Sequence, residues 1–433
     1  MKLGTRRRTL LAFGASAPLV AAASACGNKP GGGPDGASAW GLTGGAEEAM
    51  QASFEAWNEA NPDNQITAEY FANDAYKEKV RTAIGSGNAP TLVFGWAGAT
   101  LAEYVDNEYV VDLTADTTAL IDRVLPSVAA TGMIDDKVYA VPNNQSQPIV
   151  MYYNNDVLES AGTQQPTTWE ELLAAVEALK GVDDITPIAL AGQSVWPELM
   201  WIEYLSDRVG GAECFNRVIA GEAGAWSHPD MVRAAQMITE LVDAGAFGDN
   251  FASVVADAGA DQALMYTGKA GMILQGSWIY PDIVTNAPDL VDGGGLGFSA
   301  FPIVEDGAGD ASSIVGNPAN FWSVSASDPE EARQTATDYL SEAIYDDEHI
   351  DSLIGIGAVP PVVGIEDKIA AAESGADFLT LNYEMVRDAA NFQLSWDQAL
   401  PADQAQELLD NLSTLFLGEQ TAEEFCAAMD ATL

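Results

Sequence analysis

YAVPNNQSQPIVMYYNNDVL, residues 139–158, reads as the end of one strand, a polar turn, and a second strand that runs on into helix. Val141-Pro142 closes one apolar run. The following Asn143-Asn144-Gln145-Ser146-Gln147 is rich in amides, which resist burial without partners. Pro148-Ile149-Val150-Met151-Tyr152-Tyr153 then restarts with β-branched and aromatic residues. This order fits a chain crossing from one lobe to another, with polar side chains free to face a cleft between them. An exposed loop joining two strands of one sheet is the competing reading.

On either side of this stretch the pattern alternates. Met50, Phe54 and Trp57 recur at helical spacing over residues 47–61, where Asn61-Pro62-Asp63 stops the helix. Residues 65–71 alternate as a strand, 74–86 return to helical spacing through Tyr76, Val80 and Ile84, and 91–95 form a short apolar strand. Beyond the crossover, Thr168-Trp169-Glu170-Glu171 has the spacing of a capping box. Leu172, Leu173, Val176 and Leu179 follow as a stripe, and Gly181 ends that helix. Strands are expected at 187–191, 271–275, 297–302 and 321–325, and helices at 197–209, 230–244 and 328–345. The last seventy residues read as helical. Strands alternating with helices imply α/β layers with a mostly parallel sheet in each lobe.

A chain of 433 residues exceeds what one core usually serves, so two lobes are expected. Its formal charge of −46, from 64 acidic against 18 basic residues, leaves no basic stripe for phosphates and excludes nucleic acid as a partner. The acidity is spread along the chain, which reads as surface solvation. No DxDxDG-type calcium loop is present. Cysteines number three, too few for a disulfide scaffold, and Cys214 and Cys426 read as buried thiols that could also pair with each other.

Residues 1–25 read as an export signal. Thr5-Arg6-Arg7-Arg8-Thr9-Leu10-Leu11 resembles the twin-arginine motif, although Thr9 stands where an aromatic is usual. An Ala-rich apolar segment follows and ends in Ala23-Ser24-Ala25-Cys26-Gly27, which resembles a lipoprotein cleavage box with Cys26 as the lipidated residue. Residues 26–39, rich in Gly and Pro, would then be a flexible tether that holds the protein to the outer face of the cell membrane.

Taken in order, several short motifs carry a resemblance over essentially the whole chain. They are the lipobox, Trp40-Gly41, Phe54-Glu55-Ala56-Trp57-Asn58 with Asn61-Pro62, Val138-Tyr139-Ala140-Val141-Pro142, Tyr152-Tyr153-Asn154, Pro166-Thr167-Thr168-Trp169-Glu170-Glu171-Leu172, Gly271-Met272 with Gly276-Ser277-Trp278, and Trp396. This set resembles the family 1 extracellular solute-binding proteins of carbohydrate ABC importers, the group that includes maltose-binding protein. The resemblance implies a two-lobed, periplasmic-binding-protein-like fold of type II. Each lobe would be a mainly parallel sheet flanked by helices, and three crossovers are expected near 147–150, 297–301 and 357–364. The N-terminal lobe would comprise 40–147 and 301–357, and the C-terminal lobe 148–300 and 358–433.

Sugar rings present C–H patches that stack on aromatic rings, while their hydroxyls need amides or carboxylates. Trp96 and Trp278 each follow a strand, and ligands of open α/β sheets lie at the carboxyl ends of strands. The resemblance puts Trp278 and Trp396 first as ligand-binding residues, then Trp96 and Trp196. Trp57, Trp169, Trp201, Trp226 and Trp322 fall within helical or strand periodicity and read as core. Polar candidates at element ends are Asn73, Asp74, Gln145, Gln147, Asn317, Asn320 and Asp397, with the backbone of Gly44 beside Thr43 and Gly45. Turn chemistry explains Asn73, Asn317 and Asn320 equally well.

These residues imply a monomeric receptor for a neutral mono- or oligosaccharide, without cofactor or metal, that delivers its ligand to the membrane subunits of an ABC permease. A secreted glycosidase is the competing class, as is a binding protein for a polyol or peptide. With 64 acidic residues, a carboxylate pair in any cleft arises by chance. His228 and His349 are not placed as general bases, and Ser277 lacks the glycine pattern of a nucleophile elbow.

Overall fold

The structure, a computed structural model, describes residues 36–433. In chain order its strands are β1 (Ala37–Leu42), β2 (Ile66–Phe71), β3 (Leu92–Gly95), β4 (Met133–Ile134), β5 (Lys137–Val138), β6 (Val141–Pro142), β7 (Gln147–Asn154), β8 (Thr186–Ala189), β9 (Ala270–Gly276), β10 (Leu296–Ser299), β11 (Ile314–Asn317), β12 (Phe321–Val324) and β13 (Phe392–Leu394). They make two main sheets. The N-terminal lobe has the order β2-β1-β3-β12-β6, and the C-terminal lobe has β13-β11-β7-β9-β8 with β10 also paired to β7. A small β4-β5 hairpin lies apart.

Both sheets are mixed, where mainly parallel ones were expected. In the first sheet β1 pairs in parallel with β2 and β3, but β12 is antiparallel to β3 and β6. In the second, β8-β9 and β11-β13 are parallel, while β7 is antiparallel to β9, β10 and β11. The crossovers explain this. A strand that begins at the junction, as β7 and β12 do, must run away from the edge where the other strands end. The result gathers the carboxyl ends of β1, β3, β8, β9, β11 and β13 and the start of β7 at one level between the lobes.

The helices expected from the sequence patterns form within a few residues of their expected bounds, and others, such as Thr114–Ile121, Ala260–Tyr266 and Tyr280–Asn286, join them. Helix Glu47–Ala60 buries Met50, Phe54 and Trp57, and Asn61 ends it with both its backbone and side-chain nitrogens on the Trp57 carbonyl. The Thr168 hydroxyl caps helix Trp169–Lys180, but Glu171 reaches back to the Thr167 N–H, one residue earlier than a capping box requires. A reciprocal capping box occurs at Thr421 and Glu424 instead. Trp57, Trp169, Trp201, Trp226 and Trp322 are buried.

The first crossing, residues 143–146, joins β6 to β7. Its four amide and hydroxyl residues, Asn143 to Ser146, and Gln147 at the start of β7 are all buried rather than exposed. Partners come from the second crossing and from both lobes: the Asn143 N–H donates to Asn320 O (2.9 Å), the Ser146 N–H to Val359 O (2.9 Å), and the Ser277 hydroxyl to Ser146 O (2.9 Å). The second crossing lies at 318–320, between β11 and β12, and not near 297–301, because β11 pairs with β7 in the C-terminal sheet. Residues past 357 still pack on the N-terminal lobe, where the Leu125 N–H donates to Pro361 O (2.8 Å). Helix Ala376–Arg387 makes the third crossing. Its Phe378 stacks on Tyr280 at 3.8 Å, while Leu379, Tyr383 and Val386 join the other core. β13 interrupts the tail expected to be helical. Residues 37–39, expected in a tether, belong to β1. The export signal, Cys26 and tether residues 27–35 lie outside the described residues.

Candidate functional site

A cavity of about 290 Å³ lies between the two sheets, at the level where their strand ends converge. From the N-terminal lobe it takes the turn 43–46 after β1, Trp96 after β3, and Asn73 and Lys77 on one face of helix Asn73–Gly85. The crossings supply Asn144, Gln145, Gln147, Asn317 and Asn320. The C-terminal lobe supplies Trp196, Trp278 and the carboxylates of Asp257, Asp282 and Asp397.

Local backbone chemistry aims the rings. Gly276 ends β9, and a Cβ there would lie 1.9 Å from the Trp278 ring, so only glycine lets that ring fold back over the strand end. Val195 has φ +60 and ψ −48, and the Trp196 N–H donates to Ser194 O at 2.7 Å, which is a γ-turn of the rare positive-φ kind. A β-branched residue held there is strained, and the strain turns Trp196 into the wall. The Ser194 hydroxyl also accepts the Ala256 N–H (3.1 Å), so the same turn fixes the loop that carries Asp257. Trp196 and Trp278 are tilted neighbours at 6.0 Å. Across the cleft Trp96 is braced edge-on by Phe94 and Tyr76, with the Lys77 ammonium 5.4 Å from its ring centre.

Trp396 does not reach the cavity. Its ring is fully buried, stacked on Phe215 at 4.3 Å and edge-on to Trp226 at 5.4 Å. It is the first residue of the short helix Trp396–Ala399, so its neighbours Ser395 and Asp397 face the cleft while it faces the core. The buried Glu203 holds that segment, its Oε1 accepting the Trp396 N–H (2.7 Å) and the Ser395 hydroxyl (3.0 Å). Burial pushes the Glu203 carboxyl up to about 8. Asp74 also lies outside the wall. Its carboxyl is raised by burial and then by the neighbouring Asp257. The other sequence candidates, Trp96, Trp196, Trp278, Gly44, Asn73, Gln145, Gln147, Asn317, Asn320 and Asp397, all line the cavity.

The lobes meet around the cavity through donors on one side and carboxylates on the other. The Asp74 N–H donates to Asp257 Oδ2 (2.9 Å), and Lys77 Nζ pairs with Asp397 Oδ2 (3.4 Å). The Gly45 N–H serves Asp282, whose carboxyl burial raises. Gly98, at φ +80, approaches Gln398 so closely that a Cβ would lie 2.3 Å from its carbonyl oxygen. Several wall residues retain buried polar atoms with no protein partner: Gln145 Oε1, Asn317 Oδ1, Asn320 Oδ1 and Trp196 Nε1. Such atoms cost roughly 1–3 kcal/mol each when left unpaired.

Sequence reasoning missed Lys77, Asp257 and Asp282. Lys77 lies four residues after Asn73, and Asp282 four after Trp278, spacings that mark a shared helical face. Asp257 stands in an irregular stretch without periodicity. Among the described residues, no cluster of three or more His, Cys, Asp or Glu side chains could hold a metal ion. No described helix is long and apolar enough to cross a membrane.

A two-lobed α/β molecule with a polar and aromatic cavity at the junction is the type II periplasmic-binding-protein-like fold. Residues 43–343 match the model of the bacterial extracellular solute-binding protein family, and the chain belongs to that family. It is similar to an uncharacterised ABC transporter extracellular-binding protein of Pyrococcus horikoshii, 25% identical over 55% of this chain and 54% of the relative. It is also similar to the xylose/arabinose-binding protein XacG of Haloferax volcanii, 26% identical over 55% and 52%. The chain thus spans about half the length of these relatives. A solved structure from work on xylan utilization by the thermophilic Caldanaerobius polysaccharolyticus is 26% identical, with a TM-score of 0.82 over 92% of this chain and 100% of that one.

Proposed function

We propose that the protein is the receptor of an ABC importer that captures a mono- or oligosaccharide between its lobes and presents it to the membrane permease. The observation that carries this reading is the wall itself: Trp196 and Trp278 on one lobe face Trp96 on the other across amides with uncommitted polar atoms. Stacking surfaces and hydroxyl partners together are what a sugar ring requires. The xylose/arabinose-binding relative and the xylan-utilization structure favour pentose-derived sugars as the starting panel. Binding needs no covalent step. A ligand that touches both lobes favours the closed form by its extra contacts there, and the permease would read that form. The Ala23-Ser24-Ala25-Cys26 segment is the basis for proposing export and lipid anchoring.

Titration with xylose, arabinose and xylo-, cello-, malto- and galacto-oligosaccharides, followed by tryptophan fluorescence, should give saturable binding for at least one series. Silence for every sugar would overturn the reading, and release of a shortened product would replace it with hydrolysis.

A further inference from the structure

The charge of the cavity wall is uneven. Asp257, Asp282 and Asp397 line it against a single cation, Lys77, among the described residues. Lys77 is not free to answer a ligand: its ammonium pairs with Asp397 at 3.4 Å and sits against the Trp96 ring. Asp257 and Asp282 are engaged by backbone N–H groups, which carry no net charge to set against theirs. More acid stands behind the wall. Asp261 is buried with Oδ1 unpartnered while its Oδ2 holds Gln275 Nε2 (3.0 Å), and Asp74 lies against Asp257 of the wall. Three of the uncommitted polar atoms, on Gln145, Asn317 and Asn320, are oxygens and ask for donors.

We propose that the cavity selects its ligand by charge, taking uncharged or amine-bearing sugars and rejecting those that carry a carboxylate, with Asp257, Asp282 and Asp397 as the specificity-determining residues. This rests on the sugar-receptor reading above. A hydroxyl or an ammonium supplies donors to acceptors that need them. A uronate brings a further negative charge into a space already lined by carboxylates, where like charges repel.

The test uses matched neutral, 2-amino and uronate sugars of the xylo, gluco and galacto series, as monosaccharides and disaccharides wherever each form exists. Calorimetry at pH 7 is run in about 1 M salt, where screening over about 3 Å removes the far field of the −46 chain. Neutral and amino members should bind, with uronates weaker than their neutral parents by about 100-fold or more. A uronate that binds as tightly as its parent overturns the proposal, and Lys77 would then have exchanged Asp397 for the ligand. Silence from all members, neutral ones included, would instead bring down the sugar reading and this inference with it. Asp282→Asn should narrow the discrimination about tenfold in a protein whose circular dichroism is unchanged. An unaltered ratio in that variant removes Asp282 from the selectivity.

Discussion

The two faces of the cleft divide the work unequally. The C-terminal lobe contributes two tilted rings, Trp196 and Trp278, and three carboxylates, whereas the N-terminal lobe contributes one ring, Trp96, and chiefly donors: the Gly45 and Asp74 amides and the Lys77 ammonium. On the sugar-receptor reading proposed above, one face would seat a flat guest and the other would fasten onto the first. If that reading holds, stacking on the C-terminal rings and fastening through Lys77 should be separable by mutation.

The largest effect expected does not concern binding. Trp396→Ala removes a ring packed between Phe215 and Trp226 and should destabilise the C-terminal lobe by about 3–5 kcal/mol, measured by chemical denaturation. A variant that instead unfolds like the parent but loses its sugar would return Trp396 to the site. Next comes Trp278→Ala, which should weaken sugar binding about 100-fold, roughly 2–3 kcal/mol, with little loss of melting temperature. Lys77→Met tests the fastening face. The pair is partly exposed, so affinity should fall only about 3- to 10-fold, and small-angle scattering of the liganded form should show a wider molecule.

Acidity offers a further handle on the C-terminal lobe. Burial raises Glu198 to about 9 and Glu203 to about 8 from 4.5, so the stability they contribute is whole below pH 4.5 and is lost as pH rises through 8 to 9. Glu198→Gln should flatten that alkaline decline in melting temperature. His349, which packs in the N-terminal lobe, is lowered to about 4 by burial and has the opposite sign: its contribution disappears as pH falls from 6.5 through 4. The smallest effect is expected from Val195→Gly. Relief of the γ-turn should leave stability level or raise it by about 1 kcal/mol, while a looser Trp196 costs sugar affinity about two- to threefold.

The junction at 139–158 and the gathering of strand ends were legible in the sequence because apolar periodicity marks where an element stops. That placed Trp96, Trp278 and the crossover amides at the cleft without any knowledge of contacts. Periodicity does not say which way a side chain turns once the element has stopped. Trp396 and Asp397 are adjacent, yet the start of a four-residue helix sends one into the core and the other into the cavity. β11 and β13 escaped notice because they are short, and pairing across the second crossing is a long-range choice that no local window contains. Asp257 depends on a loop whose position is set by the hydroxyl of Ser194, sixty-two residues away in sequence.

Gly98 puts a limit on how much change this architecture tolerates. Where it faces the carbonyl of Gln398, the halves of the molecule touch backbone to backbone, with the Leu394 side chain packed beside the contact. One added methyl group would act there as a doorstop, holding the jaws ajar however well every ligand contact had been preserved.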